Sequence, residues 1–182
     1  MVSLDNIFKK IIIFLEKNKI GYLIIGGIAA SILGYPRFTK DVDIILFVKK
    51  QQIKNLLKKF KNEGFSFDEN IVINRVKETG TFQILYQDLH IDFIIVSSKF
   101  EKVAFSRRQR INIYGIKANF PTPEDLILMK IIPARHMDIA DIENIAKRYI
   151  NKLDKKYLLE WAQKLSDESE DMRIYNYIKN LL

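Results

Sequence analysis

Two aspartates lie at the head of an apolar segment of the chain. Asp41 and Asp43 precede or begin an apolar run at 44–48, which has the composition of a buried strand. Residues two apart in a strand point to the same face, about 6.5–7 Å apart along the backbone. Asp92 has a similar position near the start of a second apolar segment, 89–96. The pattern therefore predicts three carboxylates near the ends of strands.

Carboxylates that converge in this way need a counter-charge. Acidic side chains are rarely buried without a partner, and like charges disfavour each other's ionised form. A divalent cation removes this repulsion, and Mg²⁺ prefers carboxylate and water oxygens together with substrate phosphates. Two such ions about 3.5–4 Å apart can activate a hydroxyl and stabilise a leaving phosphate. The alternative is an amphipathic strand with solvent-facing aspartates, which is the usual meaning of an isolated Asp-x-Asp.

A glycine pair precedes the aspartates. Gly26 and Gly27 lie between an apolar segment, 22–25, and a small-residue segment, 28–33, that has helical character. Free backbone N–H groups at such a junction can approach a phosphate closely. A tight strand-to-helix turn would also require glycine there. The pair is thus a candidate phosphate site or a structural turn.

The elements that must position these residues follow from the hydrophobic period. Ser3 and Thr122 are predicted N-caps, and Gln87-Asp88 and Gly115 are predicted turns. Helices are predicted at 4–15, 28–33, 53–60, 123–135, 138–150, 154–165 and 169–182, and strands at 22–25, 41–48, 71–76, 81–86 and 89–96, with a strand or hairpin at 110–120.

This order of elements predicts a mixed α/β (α+β) fold. A change of composition near Pro121 divides it into a core at 1–120 and a helical region at 121–182 that packs on the core. The 182 residues include no cysteine, which excludes disulfides and thiolate chemistry. No apolar stretch approaches the roughly 20 residues of a membrane span, and no signal peptide is evident. We expect a cytoplasmic protein with no membrane partner.

The formal net charge of +8 favours an anionic partner such as nucleotide phosphates or RNA. Lysine-rich helix faces that are merely solvated would give the same charge.

The segment Arg37-Phe38-Thr39-Lys40-Asp41-Val42-Asp43-Ile44, read with the glycine pair and Asp92, resembles the polymerase-β-like nucleotidyltransferase superfamily. The chain is most similar to small stand-alone prokaryotic members, including abortive-infection and toxin–antitoxin nucleotidyltransferases. The resemblance implies a mixed β-sheet with helices on one side. It also implies metal-binding and catalytic roles for Asp41, Asp43 and Asp92, and an NTP triphosphate held by Gly26 and Gly27.

A second match lies in the helical region. Thr122-Pro123-Glu124-Asp125-Leu126 leads to Lys130 and then to Asp138 and Asp141, similar to the Lys … Asp-x-x-Asp segment of the same subgroup. The resemblance implies that Lys130 is catalytic and either reaches a phosphate or pairs with Asp138. Read from the residues alone, Lys130 could extend from a helix surface and Asp138 could cap a helix.

The resemblance also implies that Arg37, Thr39, Lys130 and Asp138 help to bind the nucleotide. The commonest form of the superfamily has Gly-Ser where this chain has Gly26-Gly27, so one hydroxyl contact to phosphate or metal is missing. His90 could be a ligand or base, although a hydrogen-bonded structural histidine is more typical.

Three functions remain open from the sequence. The first is a nucleotidyltransferase that uses Mg²⁺ or Mn²⁺ to move an NMP from an NTP to a hydroxyl of a protein, an RNA 3′ end or a small molecule, with RNA or protein favoured. The second is a non-catalytic nucleotide- or RNA-binding module, such as one partner of a toxin–antitoxin pair. The third is a metal-dependent glycosyltransferase, which the glycine pair and the Lys130 segment make less suitable.

Overall fold

A computed structural model describes residues 3–182 of the chain. Its helices are α1 (Leu4–Lys17), α2 (Gly26–Leu33), α3 (Ile53–Asn62), α4 (Glu69–Glu78), α5 (Lys99–Ser106), α6 (Pro123–Ile131), α7 (His136–Tyr149), α8 (Lys155–Ser169) and α9 (Met172–Leu181). Its strands are β1 (Gly21–Ile24), β2 (Val42–Phe47), β3 (Thr81–Tyr86), β4 (Leu89–Ile95), β5 (Gln109–Ile113) and β6 (Ile116–Phe120). None of the helices in this described part is long and apolar enough to cross a membrane.

The main sheet is mixed, as predicted. Its strand order is β1-β2-β4-β3, with β2 and β4 parallel and the two outer pairs antiparallel. The predicted hairpin around Gly115 is present as β5 and β6, which form a separate sheet. Its turn residues Tyr114 and Gly115 both have positive φ, which suits a two-residue hairpin connection. The α/β fold class and the strands that carry Asp43 and Asp92 are confirmed.

The chain divides into two compact units. The first contains the described residues through Ile28 together with Phe38–Phe120, and the second contains Ala29–Arg37 and Pro121–Leu182. That the region 121–182 packs on the core stays a prediction.

The core of the first unit is aromatic. Phe60 stacks on Phe14 with ring centroids 4.5 Å apart, and Phe82 stacks on Phe93 at 4.8 Å. Phe60 and Phe93 are themselves 5.5 Å apart, so the rings join α1 and α3 to the inner face of β3 and β4. Aromatic pairs at these distances add stability beyond their buried area. This packing covers one face of the sheet, and Asp43 and Asp92 project from the opposite face.

The predicted strand at 71–76 is wrong, because this segment belongs to helix α4. Asp68 caps the helix by accepting a hydrogen bond from the backbone N–H of Ile71 at 3.0 Å. Val72 and Val76, four residues apart, are buried, whereas Ile71 is 61% exposed. This spacing belongs to a helix face and outweighs the strand propensity of the β-branched residues.

Helix α5 lies where the sequence pattern predicts no element. It begins with a capping box in which the Ser98 hydroxyl accepts from the Glu101 backbone N–H at 3.1 Å. The Glu101 carboxylate in turn accepts from the Ser98 backbone N–H at 2.8 Å. The motif Ser-x-x-Glu, which indicates the start of a helix, is present in the sequence at 98–101.

Candidate active site

Asp43 and Asp92 lie side by side on neighbouring strands. They are directly paired in the parallel register of β2 and β4. Adjacent strands lie about 4.8 Å apart, and paired residues project from the same face, so the two carboxylates are close neighbours. Both are half-buried. Like charges in this arrangement repel, which makes the pair unsuitable for stabilising the sheet and suitable for a bound cation.

Gly26 makes the position of the Asp43 carboxylate possible. It has φ +63°, and a Cβ atom added there would lie 1.9 Å from Asp43 Oδ2. The backbone N–H of Ile25 donates to the Asp43 carbonyl at 2.9 Å, which fixes the end of β1 against β2. Any side chain at Gly26 would occupy the space of the carboxylate. The first glycine is therefore required both by its backbone conformation and by this close approach.

Asp41 is held differently from the other two acids. It is half-buried and lies one residue before β2, in the loop rather than in the sheet. The Thr39 hydroxyl donates to the Asp41 carbonyl oxygen at 3.4 Å, which is a long contact. The metal-binding role of Asp41 and the nucleotide-binding role of Thr39 stay predictions.

The donor set at the acid pair fits a hard divalent cation. Asp43 and Asp92 offer oxygen atoms only, and Mg²⁺ typically binds one or two carboxylates together with water and substrate phosphates. A side chain at Gly26 would collide with the Asp43 carboxylate, so the glycine keeps this ligand position open. Within residues 3–182, no group of three or more His, Asp or Glu side chains is arranged to hold a metal ion. The fit is thus that of a two-carboxylate site.

A glutamine completes the row of polar side chains across the sheet. Gln83 is paired with Asp92 in the antiparallel register of β3 and β4. Its Nε2 donates to Asp92 Oδ1 at 2.7 Å. Sequence reasoning missed this residue, although the predicted turn at Gln87-Asp88 fixes the register that brings it opposite Asp92.

The second unit contains a buried ionic cluster. Lys130 Nζ lies 3.1 Å from Asp138 Oδ1 and 2.7 Å from Asp141 Oδ2. The Arg37 guanidinium donates through Nε and Nη2 to the two oxygens of Asp141, each at 2.9 Å. Lys130 is 5% exposed and Asp141 4% exposed. The four side chains carry two positive and two negative charges, so the cluster is neutral as a whole.

Arg37, Lys130 and Asp138, which are predicted to bind the nucleotide, form ion pairs within the protein. The pairing of Lys130 with Asp138 is present in the structure, and Asp138 also acts as a helix cap because it accepts from the Arg135 backbone N–H at 3.2 Å. The Arg37 contact with Asp141 joins residues 104 positions apart and has no signal in the sequence. The nucleotide-binding roles of Arg37, Lys130 and Asp138 and the catalytic role of Lys130 stay predictions.

The histidines occupy exposed positions. His90 lies on β4 two residues before Asp92, and His136 is the first residue of α7.

Comparison with protein families identifies the chain. A family model described as "Nucleotidyltransferase of unknown function (DUF6036)" matches residues 2–180. The chain belongs to this family of nucleotidyltransferases. The match spans nearly the whole sequence, and the predicted resemblance to the polymerase-β-like superfamily is confirmed. No curated protein matches the sequence significantly.

Three solved structures of similar fold are those of an antibiotic adenylyltransferase and of an antibiotic-resistance factor. The lincosamide antibiotic adenylyltransferase LnuA, solved with lincomycin, is 15% identical with a TM-score of 0.56, and the match covers 79% of this chain and 96% of that one. The solution structure of the antibiotic-resistance factor ANT(2'')-Ia is 11% identical with a TM-score of 0.64, covering 91% of this chain and 95% of that one. The crystal structure of ANT(2'')-Ia with adenylyl-2''-tobramycin is 13% identical with a TM-score of 0.58, covering 81% and 90%. At these identities the likeness is one of fold.

Proposed function

We propose that this nucleotidyltransferase uses a divalent metal, Mg²⁺ or Mn²⁺, to transfer an NMP from an NTP to an acceptor hydroxyl with release of pyrophosphate. The observation that carries the proposal is the register that sets Asp43 beside Asp92. Together with the close approach of Gly26, it favours a cation and a phosphate at one end of β1, β2 and β4. A protein that only bound phosphate would gain nothing from two adjacent carboxylates, because they repel it.

Each residue of the site has a task in this reaction. Asp43 and Asp92 would hold the metal, with Asp41 as a further predicted ligand from the preceding loop. When bound, the metal supplies charge neutralisation between the carboxylates and the phosphates. The backbone N–H groups that open α2 at Gly26 and Gly27 orient the triphosphate, as helix N-termini commonly do. Asp92 would also accept the proton of the acceptor hydroxyl.

The transfer is a substitution at the α-phosphorus. The acceptor oxygen forms a bond to this phosphorus while the bond from phosphorus to the bridging oxygen of the β-phosphate breaks. Pyrophosphate leaves with the bonding electron pair, and the hydroxyl proton passes to a carboxylate oxygen of Asp92. The contribution of the protein is mainly positioning and electrostatic stabilisation, which can account for most of the rate enhancement in such reactions.

The acceptor is proposed to be an RNA or a protein, and the net charge of +8 favours RNA because RNA is a polyanion. A small molecule is the alternative acceptor, and lincomycin and tobramycin belong in the test because structures of similar fold contain lincomycin or adenylyl-2''-tobramycin. A cognate toxin or antitoxin partner stays a prediction.

The proposal is tested with each α-labelled NTP and Mg²⁺ or Mn²⁺, offering total RNA, cell extract, lincomycin and tobramycin as acceptors. Transfer by the unaltered protein should disappear in Asp43→Asn. The matched control is Asp88→Asn, the same change at an exposed acid in the turn between β3 and β4, which should keep full activity. Both variants should remain folded by circular dichroism.

The location of the label separates the hypotheses. Label in RNA, in protein or in an antibiotic identifies the acceptor class. Failure to label any acceptor, with nucleotide binding retained, would instead favour the non-catalytic binding module. Equal loss in Asp43→Asn and Asp88→Asn would remove the acid pair from the mechanism.

A further inference from the structure

Gln83 makes a short hydrogen bond to one oxygen of the acid pair. The distance from its Nε2 to Asp92 Oδ1 is 2.7 Å, at the short end of the range for N–H donors to ionised acceptors. A carboxylate can only accept, so the amide of Gln83 must be the donor. Because the two residues are paired in register, the backbone of β3 and β4 holds both ends of this contact.

The sheet itself does little to fix the Asp92 side chain. On the inner face, Phe82 and Phe93 are 2% and 1% exposed. On the face that carries Asp92, the next residue of β4 with the same orientation, Ile94, is 37% exposed. The tightly packed rings of Phe82 and Phe93 thus lie on the opposite face of the sheet from the Asp92 carboxylate. Within residues 3–182, Gln83 is its one hydrogen-bonding side chain.

The Gln83 amide is neutral, so its hydrogen bond leaves the net charge of Asp92 unchanged. A lysine at this position would neutralise Asp92 and repel a cation, whereas an amide orients one oxygen and leaves the net charge unchanged. The hydrogen bond uses Oδ1 and does not involve the second carboxylate oxygen, Oδ2. Hydrogen bonds from outside the coordination sphere commonly orient metal-binding side chains in this way.

We propose that Gln83 is a positioning residue that holds the Asp92 carboxylate in the orientation needed to bind a divalent cation with Asp43. The inference rests on the proposed function insofar as the cation serves nucleotidyl transfer.

The test is Mn²⁺ binding, measured by the electron paramagnetic resonance signal of the free ion in the absence of NTP and acceptor. Gln83→Met keeps the length of the side chain and removes the donor, and should weaken Mn²⁺ binding about 10-fold. Gln83→Lys should weaken it further, because its ammonium competes with the ion. Gln109→Met, the same substitution at an exposed glutamine of β5, should bind as the unaltered protein does.

The order of affinities distinguishes positioning from a merely structural role. The proposal is overturned if Gln83→Met binds Mn²⁺ as tightly as the unaltered protein, or if Gln83→Lys is no weaker than Gln83→Met. It is also overturned if the unaltered protein does not bind Mn²⁺, or if Asp43→Asn binds Mn²⁺ as tightly as the unaltered protein does. If Mn²⁺ binding follows the expected order while no acceptor is ever labelled, the proposed function fails and the role of Gln83 stands.

Discussion

Replacing Gly26 by alanine tests the close approach on which the acid pair depends. The new Cβ would lie 1.9 Å from Oδ2, 2.5 Å from Cγ and 2.7 Å from Cβ of Asp43. Rotation of the Asp43 side chain can remove the first two clashes but not the third, because Cβ is fixed to the backbone. Carbon atoms normally approach to about 3.5 Å, so β2 and the start of α2 must separate by roughly 0.8 Å.

The expected loss of stability has two parts. An alanine at positive φ costs about 1–2 kcal/mol wherever it stands. The displacement adds about 1–3 kcal/mol, the usual cost of overpacking a tight contact. Gly64 provides the matched control, since it has φ +84° and nothing within 4 Å of an added Cβ. Gly64→Ala should therefore show the first part alone.

The assay is urea unfolding of both variants together with Mn²⁺ binding. Gly26→Ala should lose about 2–5 kcal/mol of unfolding free energy and most of its Mn²⁺ affinity, whereas Gly64→Ala should lose about 1–2 kcal/mol and bind normally. Equal destabilisation of the two variants with Mn²⁺ binding intact in both would refute the reasoning, because the contact with Asp43 would then have no consequence.

Three further outcomes are expected. Burial raises the pKa of the Tyr22 hydroxyl well above 10.0. The stability that the neutral hydroxyl contributes is therefore complete below pH 10 and is lost progressively as the pH rises from there toward the raised pKa. Tyr22→Phe should lose about 1 kcal/mol of unfolding free energy in urea at pH 7, and this loss should shrink above pH 10. Asp141→Asn should cost about 3 kcal/mol in urea unfolding, the low end of the range for a broken buried ion pair, because Lys130 loses one of its two carboxylate partners and keeps Asp138; a loss below about 1 kcal/mol would contradict this. Hydrogen bonding by the Arg173 side chain lowers the pKa of Asp171 below 3.8, which NMR titration should detect and which Arg173→Gln should partly reverse.

The parts of the fold that the sequence predicts are those with a local signal. The turn at Gln87-Asp88 and the alternation on its two sides place β3 and β4 within one residue of their observed ends. The same turn fixes Gln83 opposite Asp92, so this contact was available from the sequence through the register alone. Local period and turn chemistry thus determine the neighbours within a hairpin.

Contacts between distant segments had no such signal. The register that pairs Asp43 with Asp92 comes from two strands about 50 residues apart, and parallel pairing leaves no turn from which to count. The pairing of Arg37 with Asp141 depends on a loop and a helix that only the folded chain brings together. The β-branched residues at 71–76 led to the wrong prediction of a strand. Burial of residues four apart on a helix face outweighs their intrinsic preference for strands.

The position of Asp141 has a consequence for how sequences of this family can diverge. Its two oxygens serve Arg37 and Lys130 at once, so a change at this one residue removes a carboxylate partner from two cations together. A viable replacement requires changes at the three positions together, or a passage through a destabilised intermediate. We expect Arg37, Lys130 and Asp141 to vary as a unit among relatives.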